Sequence, residues 1–363
     1  MKNTIGNSMT LTLFGESHGK AIGAVLDGVP SGIEIDEDFI ASQMEKRKGI
    51  NSISTSRREG DEVKILSGVL EKRTTGTPIC FMIENADTKS KDYSKTKDLA
   101  RPGHADYTAQ MRYDGFQDYR GGGHFSGRIT APIVAAGAVA ISMLEKKGIF
   151  IGTHIASCGK IKDRAFKNYS EDISSLKSLD MPVLCEKARE DILSYISCAK
   201  SEGDSVGGIL ETVVTGMPAG VGEPWFDSVE SMLSHGLFSV PGVKGVEFGA
   251  GFDFASMKGS EANDEFFCED GKILTKTNNN GGINGGITNS MPLLFSVCVK
   301  PTPSIYKKQN TVDFRKGENA VLQIEGRHDP AIIHRARVVV DSITALTLCD
   351  LLIMRFGPDF FGE

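Results

Sequence analysis

Short apolar runs punctuated by glycine, proline and charge set the predicted elements. Met9 to Phe14 and Ala21 to Leu26 read as strands flanking the turn-like Gly15-Glu16-Ser17-His18-Gly19, and Asp27-Gly28-Val29-Pro30 closes the second. A helix follows: Asp36 caps it, Phe39, Ile40 and Met44 form its apolar stripe, and Lys46-Arg47-Lys48 with Gly49 ends it. EVKILSGV and TPICFMI, between Gly60 and Glu84, read as two strands joined at Thr74-Thr75-Gly76-Thr77. Ala131 to Leu144 is apolar all round, the mark of a buried helix, with Thr130 as its expected cap and Lys146-Lys147-Gly148 as its end. Residues 150 to 235 carry less signal, an amphipathic helix around Met181 to Ala199 and a strand at Gly208 to Thr215. Gly242 to Gly251 and Asn278 to Ser290 read as glycine-rich loops, and Arg335 to Phe356 as a second strongly apolar helix. No fixed-period repeat or clear linker divides the chain, so residues 1–363 are expected to form one large domain.

One stretch has almost no core-forming pattern. Arg101 to Arg128, RPGHADYTAQMRYDGFQDYRGGGHFSGR, combines arginines, histidines and three successive glycines. Arginine forks match phosphate and carboxylate oxygens, glycine lets backbone N–H groups approach a ligand, and histidine moves protons near neutral pH. The polar tract from Asp87 to Asp98 leads into it as an exposed loop, a natural lid. Residues 15 to 19, 278 to 290 and Gly326-Arg327-His328-Asp329-Pro330 share this composition. Each alone is compatible with an ordinary turn; four together point to a composite site that binds phosphate and shuttles protons. No P-loop, Rossmann glycine fingerprint, nucleophile elbow or H-E-x-x-H is present. His18, His104, His124 and His328 do not share one element at metal-ligand spacing, so no metal is expected.

A net charge of -6 argues against nucleic acid and anionic membranes, which makes the clustered arginines local in purpose. Seven scattered cysteines without a C-x-x-C pair suggest cytosolic usage and a cytoplasmic protein. The longest apolar run, Ala131 to Leu144, is shorter than the roughly 20 residues that span a bilayer.

At these loops the sequence resembles the chorismate synthase family. FGESHGKAIGAVLDGVPSGI, SRREGDEVKILSGV, TTGTPI, KDYSK, RPGHADYTAQMRY and DYRGGGHFSGRITAP carry the likeness, followed by VKGVEFGAGF, NNNGGINGGITNSMP, KPTPSI and GRHDPAIIHRA. The resemblance implies an α+β sandwich with core helices between antiparallel sheets, assembled as a homotetramer. It also implies a lyase acting on 5-enolpyruvylshikimate 3-phosphate, giving chorismate and phosphate by 1,4-elimination at the last common step of aromatic amino acid biosynthesis. Reduced FMN is implied as cofactor, without net redox change. No dinucleotide-binding domain is visible, so a separate, NADPH-linked reductant is expected to supply the reduced flavin.

By the same resemblance His18 corresponds to the histidine that protonates the leaving phosphate, and His104 to one near flavin N1. Asp329 corresponds to the aspartate that takes the proton from flavin N5, with Ser17 and Ser126 as relays. Flavin contacts are implied for His124, Phe125, Ser126, Gly285, Lys300, Pro301, Thr302, Pro303, Ser304 and Arg327, and contacts to substrate or nicotinamide nucleotide for Arg47, Arg128 and Arg335. The chain departs from the family at His124-Phe125, where Arg-Ser is common, and beyond Arg47, where no second arginine occurs before Arg57. Two other classes fit the bare composition: a histidine-dependent phosphohydrolase and a non-catalytic FMN- or phosphate-binding protein.

Overall fold

The computed structural model describes residues 2–50, 53–54, 60–85, 97–324 and 328–362. Most of the expected lid, with KDYSK, and also Arg57, Gly326 and Arg327, lie outside the described residues. The helices are α1 (Glu37–Glu45), α2 (Asp106–Arg112), α3 (Thr130–Lys146), α4 (Tyr169–Ser178), α5 (Glu186–Ser201), α6 (Val229–Leu237), the one-turn α7 (Gly259–Ala262) and α8 (Ile333–Phe356).

Two antiparallel sheets sandwich α3 and α8. The first runs Thr4–Ile5, Thr10–Gly15, Ala21–Asp27, Ile79–Glu84 and Lys64–Ser67 in spatial order. Its register sets Ile22 opposite Ile83, Ala24 opposite Phe81 and Leu26 opposite Ile79, and this buried apolar face packs on α3. The second sheet orders Val243–Phe248, Leu293–Val299, Gly208–Thr215, Phe150–Cys158 and Ile161–Lys162, and packs on α8. The expected α+β layering is therefore the observed one.

The two helices touch backbone to backbone. A Cβ on Gly137 would lie 2.2 Å from Ser342 Cβ, and further along the Cys349 thiol approaches the Ala140 carbonyl at 3.5 Å. Sequence positions rise together along both helices, so they run parallel and begin at the same end of the molecule. α8 also holds the first sheet: the Asp350 carboxylate accepts from the N–H groups of Asn7, Ser8 and Met9 at 2.9, 2.7 and 2.8 Å.

Several expectations need correction. Thr130 does not cap α3, because its hydroxyl donates to the Gly127 carbonyl at 2.6 Å; Ser126 caps a preceding 3-10 turn, Gly127–Ile129, that runs into the helix. Counted with that turn, Gly127–Lys146 is 20 residues long with mean hydropathy 1.6, enough to cross a membrane by length and composition, yet 83% of its apolar window is buried inside the protein. Part of the Gly242 to Gly251 stretch is a strand, paired with Leu293–Val299 across a bulge that leaves Lys244 unmatched between Val243 and Gly245. The Met181 to Ala199 helix starts only at Glu186, after an extended segment containing Pro182. An additional small ribbon, Val69–Leu70 with Arg73–Thr74, turns at Glu71 and Lys72 before the expected turn at Gly76.

Gly137→Ala forces the two core helices apart and is expected to cost about 1–3 kcal/mol by overpacking. The loss should be partly reversed by Ser342→Gly in the double variant. Urea denaturation checks this, and an unchanged midpoint for Gly137→Ala alone would contradict the packing.

Candidate active site

Where α3 and α8 begin, a cavity of about 2140 Å³ opens. A single small-molecule site typically needs roughly 300–1,000 Å³, and this space is larger because it runs on past the helix starts along α3 to Glu145. Both helix starts direct positive dipole ends toward this region, which favours anions.

Three arginines gather there. Arg47, just past α1, is 6% exposed; it donates through NH1 to Asp61 Oδ2 at 2.7 Å and through NH2 to Thr130 Oγ1 at 3.2 Å. Arg128 donates to Asp61 Oδ1 at 2.6 Å and to Asn85 Oδ1 at 2.6 Å. Arg335, on the first turn of α8, donates to the Arg47 carbonyl at 2.6 Å and forms an ion pair with Asp329. Burial lowers the Arg47 pKa to about 10; Asp61 opposes that shift, while Arg335 and Arg128 add to it. The Lys46 to Lys48 cluster thus does more than terminate a helix, because Arg47 turns inward.

The histidines occupy unlike environments. His104 Nε2 meets Ser304 Oγ at 2.7 Å. Burial, then the Arg101 charge, pushes its pKa down to about 4 even though Asp106 acts the other way. Arg101 is itself engaged: its Nε and NH2 donate to the two Asp106 oxygens at 2.8 and 2.7 Å. Burial acts to raise the Asp106 pKa, but the Arg101 bonds outweigh it and the net shift is downward. Lys300 Nζ donates to the Gly103 carbonyl at 2.6 Å, and Pro303 lies against Gly103, so the 300–304 loop docks on the His104 turn.

His18 lies behind the glycine run. Its Nδ1 is 3.1 Å from Ser17 Oγ, and that hydroxyl also faces the carbonyls of Arg120 and Gly121 at 3.2 and 3.1 Å. With its one hydrogen given to either carbonyl, the Ser17 hydroxyl accepts from Nδ1–H and orients the ring. Gly121 has φ +57°, and a Cβ there would fall 2.1 Å from His18 Cε1. No other residue fits between that ring and the cavity. His124 places Nδ1 2.7 Å from the Gly15 carbonyl and so donates to it, binding the 121–124 turn to the 15–19 turn.

Most of the residues singled out from the sequence line this one cavity: His104, Asp329, His124, Phe125, Ser126, Lys300, Pro301, Thr302, Pro303, Ser304, Arg47, Arg128 and Arg335. Ser17 and His18 sit one layer behind Gly121. Gly285 does not line the cavity; with Gly286 it makes the two-residue turn between Ile283–Asn284 and Ile287–Thr288. The cavity is lined from loop 101–128 and the described part of 326–330, with loop 15–19 packed behind Gly121, while loop 278–290 does not line it. That loop is held elsewhere, as Asp264 accepts from the N–H groups of Asn279 and Asn280 at 2.7 and 2.8 Å. Sequence reasoning missed Asp61 and the lining residues Pro241 and Gly242. In the sequence Asp61 is one of three acidic residues in the run Arg57-Arg58-Glu59-Gly60-Asp61-Glu62, and nothing there singles it out.

A layered α+β core with an arginine- and histidine-lined cavity at paired helix starts has the build of an enzyme site for an anionic substrate. The chorismate synthase family profile matches residues 9–353. A chorismate synthase of Pyrococcus abyssi is 46% identical over 350 residues, covering 96% of this chain and 97% of that protein. One of Lachnoclostridium phytofermentans is 46% identical over 353 residues, covering 97% and 95%. A crystal structure of a chorismate synthase superposes with TM-score 0.77 at 28% identity, covering 97% of this chain and 94% of the other. The chain belongs to the chorismate synthase family and is a lyase.

Because the folded protein disfavours protonated His104, the unfolded chain takes up a proton there between pH 6.5 and 4 and the native state does not. Stability from this group is full above pH 6.5 and is lost as pH falls toward 4; His334, also lowered to about 4 by burial, acts in the same sense. NMR titration of flavin-free protein should give a His104 midpoint near 4. A midpoint near 6.5 would contradict the buried, cation-flanked environment.

Proposed function

We propose that the protein converts 5-enolpyruvylshikimate 3-phosphate to chorismate and phosphate, with reduced FMN bound beside the substrate. The observation that carries this is one cavity lined by Arg47, Arg128, Arg335 and His104, with His18 packed behind it at Gly121, in a chain of this family. The substrate's phosphate and carboxylates match the arginine forks and the positive helix starts.

The residues present fit a flavin. Thr302 Oγ1, on the cavity wall, is buried without a protein partner. Phe125, His124 and Ser126 on one side and the 300–304 loop on the other would hold the flavin, with His104 toward its N1 side. When bound, reduced FMN supplies an electron-rich surface that assists cleavage of the carbon–oxygen bond.

The remaining work falls to side chains. Arg47, Arg128 and Arg335 orient the anionic groups and exclude water. His18, its Nδ1 held by Ser17, delivers a proton from Nε2 to the departing phosphate. Asp329, paired with Arg335, would take up the proton from the flavin N5 position, as the family resemblance implies. Loss of the ring proton and of phosphate leaves a new double bond, so atoms balance and no net oxidation occurs. The sheets are antiparallel and, among the described residues, form no parallel βαβ unit for a dinucleotide; a separate NADPH-linked reductant is the expected source of reduced flavin. Exposed Trp225, Phe226 and Phe252 favour assembly of several copies, as in the homotetramer expected from the resemblance.

An anaerobic assay with photoreduced FMN should give phosphate and chorismate in equal amounts, and His18→Ala and His104→Ala should each slow turnover by about 10² or more. Phosphate release at full rate without reduced flavin would overturn the lyase reading in favour of a hydrolase. Tight FMN binding without turnover would favour a binding protein.

A further inference from the structure

Asp61 lies in the extended segment before Lys64–Ser67, and its side chain is 11% exposed. Each carboxylate oxygen serves a different arginine: Oδ2 accepts from Arg47 NH1 at 2.7 Å and Oδ1 from Arg128 NH1 at 2.6 Å. The two arginines come from separate elements, one past the end of α1 and one from the turn before α3. Their side chains are 6% and 8% exposed, so water screens their mutual repulsion poorly. Among the described residues Asp61 is the carboxylate that touches both.

The contacts continue outward on either side. Arg128 Nε donates to Asn85 Oδ1 at 2.6 Å, and Asn85 Nδ2 donates to the carbonyls of Glu16 and Gly19 at 3.0 and 2.9 Å. Those carbonyls bracket Ser17 and His18. On the other side, Arg335 donates to the Arg47 carbonyl and pairs with Asp329. One carboxylate therefore joins the arginine pair, and through Asn85 the histidine turn, into a connected frame.

We infer that Asp61 is a positioning residue: it aligns Arg47 and Arg128 as a preformed two-arginine receptor for an anionic group of the substrate and fixes that receptor relative to His18. The inference rests on the reading of this cavity as the site for 5-enolpyruvylshikimate 3-phosphate. Asp61 touches no reacting atom in this scheme. Its role is to hold two like charges together before the ligand arrives, which lowers the ordering cost of binding.

Asp61→Asn retains size but removes the charge, and its amide can accept from only one of the two arginines. In the full-length protein, KM and the equilibrium Kd for the enolpyruvyl phosphate should rise about 10- to 100-fold, the scale of one lost charge-assisted hydrogen bond. kcat should fall less than KM rises, and FMN affinity should stay within about threefold, which general unfolding would not spare. Asp61→Glu should recover part of the affinity. If Asp61→Asn does not fold, Asn85→Ala carries the test, because it leaves both ion pairs and should lower kcat more than it raises KM. Unchanged or tighter substrate binding in Asp61→Asn would show Asp61 to be a competing counter-ion and overturn the inference. Wild-type protein that neither binds nor converts the substrate would instead defeat the functional reading; inorganic phosphate titration then decides, with binding expected to weaken about tenfold in Asp61→Asn and equal binding overturning the claim.

Discussion

The close parallel packing of α3 on α8 is the constraint on which the rest of the structure depends. Gly137 against Ser342 lets the two backbones meet, and the helices then share a starting end. Each sheet covers one of them, so the layers, the cavity and the arginine cluster follow from that single contact. The electrostatic consequence is unfavourable in isolation. Two positive helix ends and three arginines repel one another, and among the described residues Asp61 and Asp329 pair with the arginines of the cluster. The resulting positive potential is what the proposed anionic substrate would meet.

The same region separates its two principal histidines by environment. His104 is held neutral by burial and by the cations around it, with a hydroxyl at its Nε2. His18 is fixed in orientation by Ser17 and covered by a glycine that no larger residue can replace. Groups of one chemical type thereby sit in different settings, one an uncharged ring on the cavity wall and the other a ring oriented from behind it, which suits the different tasks proposed for them.

The sequence makes some of this legible and hides the rest for physical reasons. α3 and α8 are readable because a helix buried on every side must be apolar on every side, and the Asp36 cap of α1 is readable because capping is local; its carboxylate accepts from the Phe39 N–H at 2.9 Å. The strand at Val243–Phe248 is hidden because it carries a bulge that only the partner strand explains. α2 is hidden by its polar surface, and α4 carries too few apolar residues to display a stripe. The arginines and histidines that line the cavity are recognisable by type, but their convergence is not: loop 278–290 has the same composition as the loops around the cavity and is tied to Asp264 instead. Asp61 escapes notice because one carboxylate shared by two distant arginines leaves no periodic trace.

The most direct test is a crystal structure of the protein with oxidised FMN and 5-enolpyruvylshikimate 3-phosphate. The account expects the substrate's anionic groups within hydrogen-bonding distance of Arg47, Arg128 and Arg335 at the starts of α3 and α8, with the flavin ring between the substrate and His104. Substrate bound away from the three arginines, or a flavin seated outside the cavity between the 121–126 turn and the 300–304 loop, would contradict it.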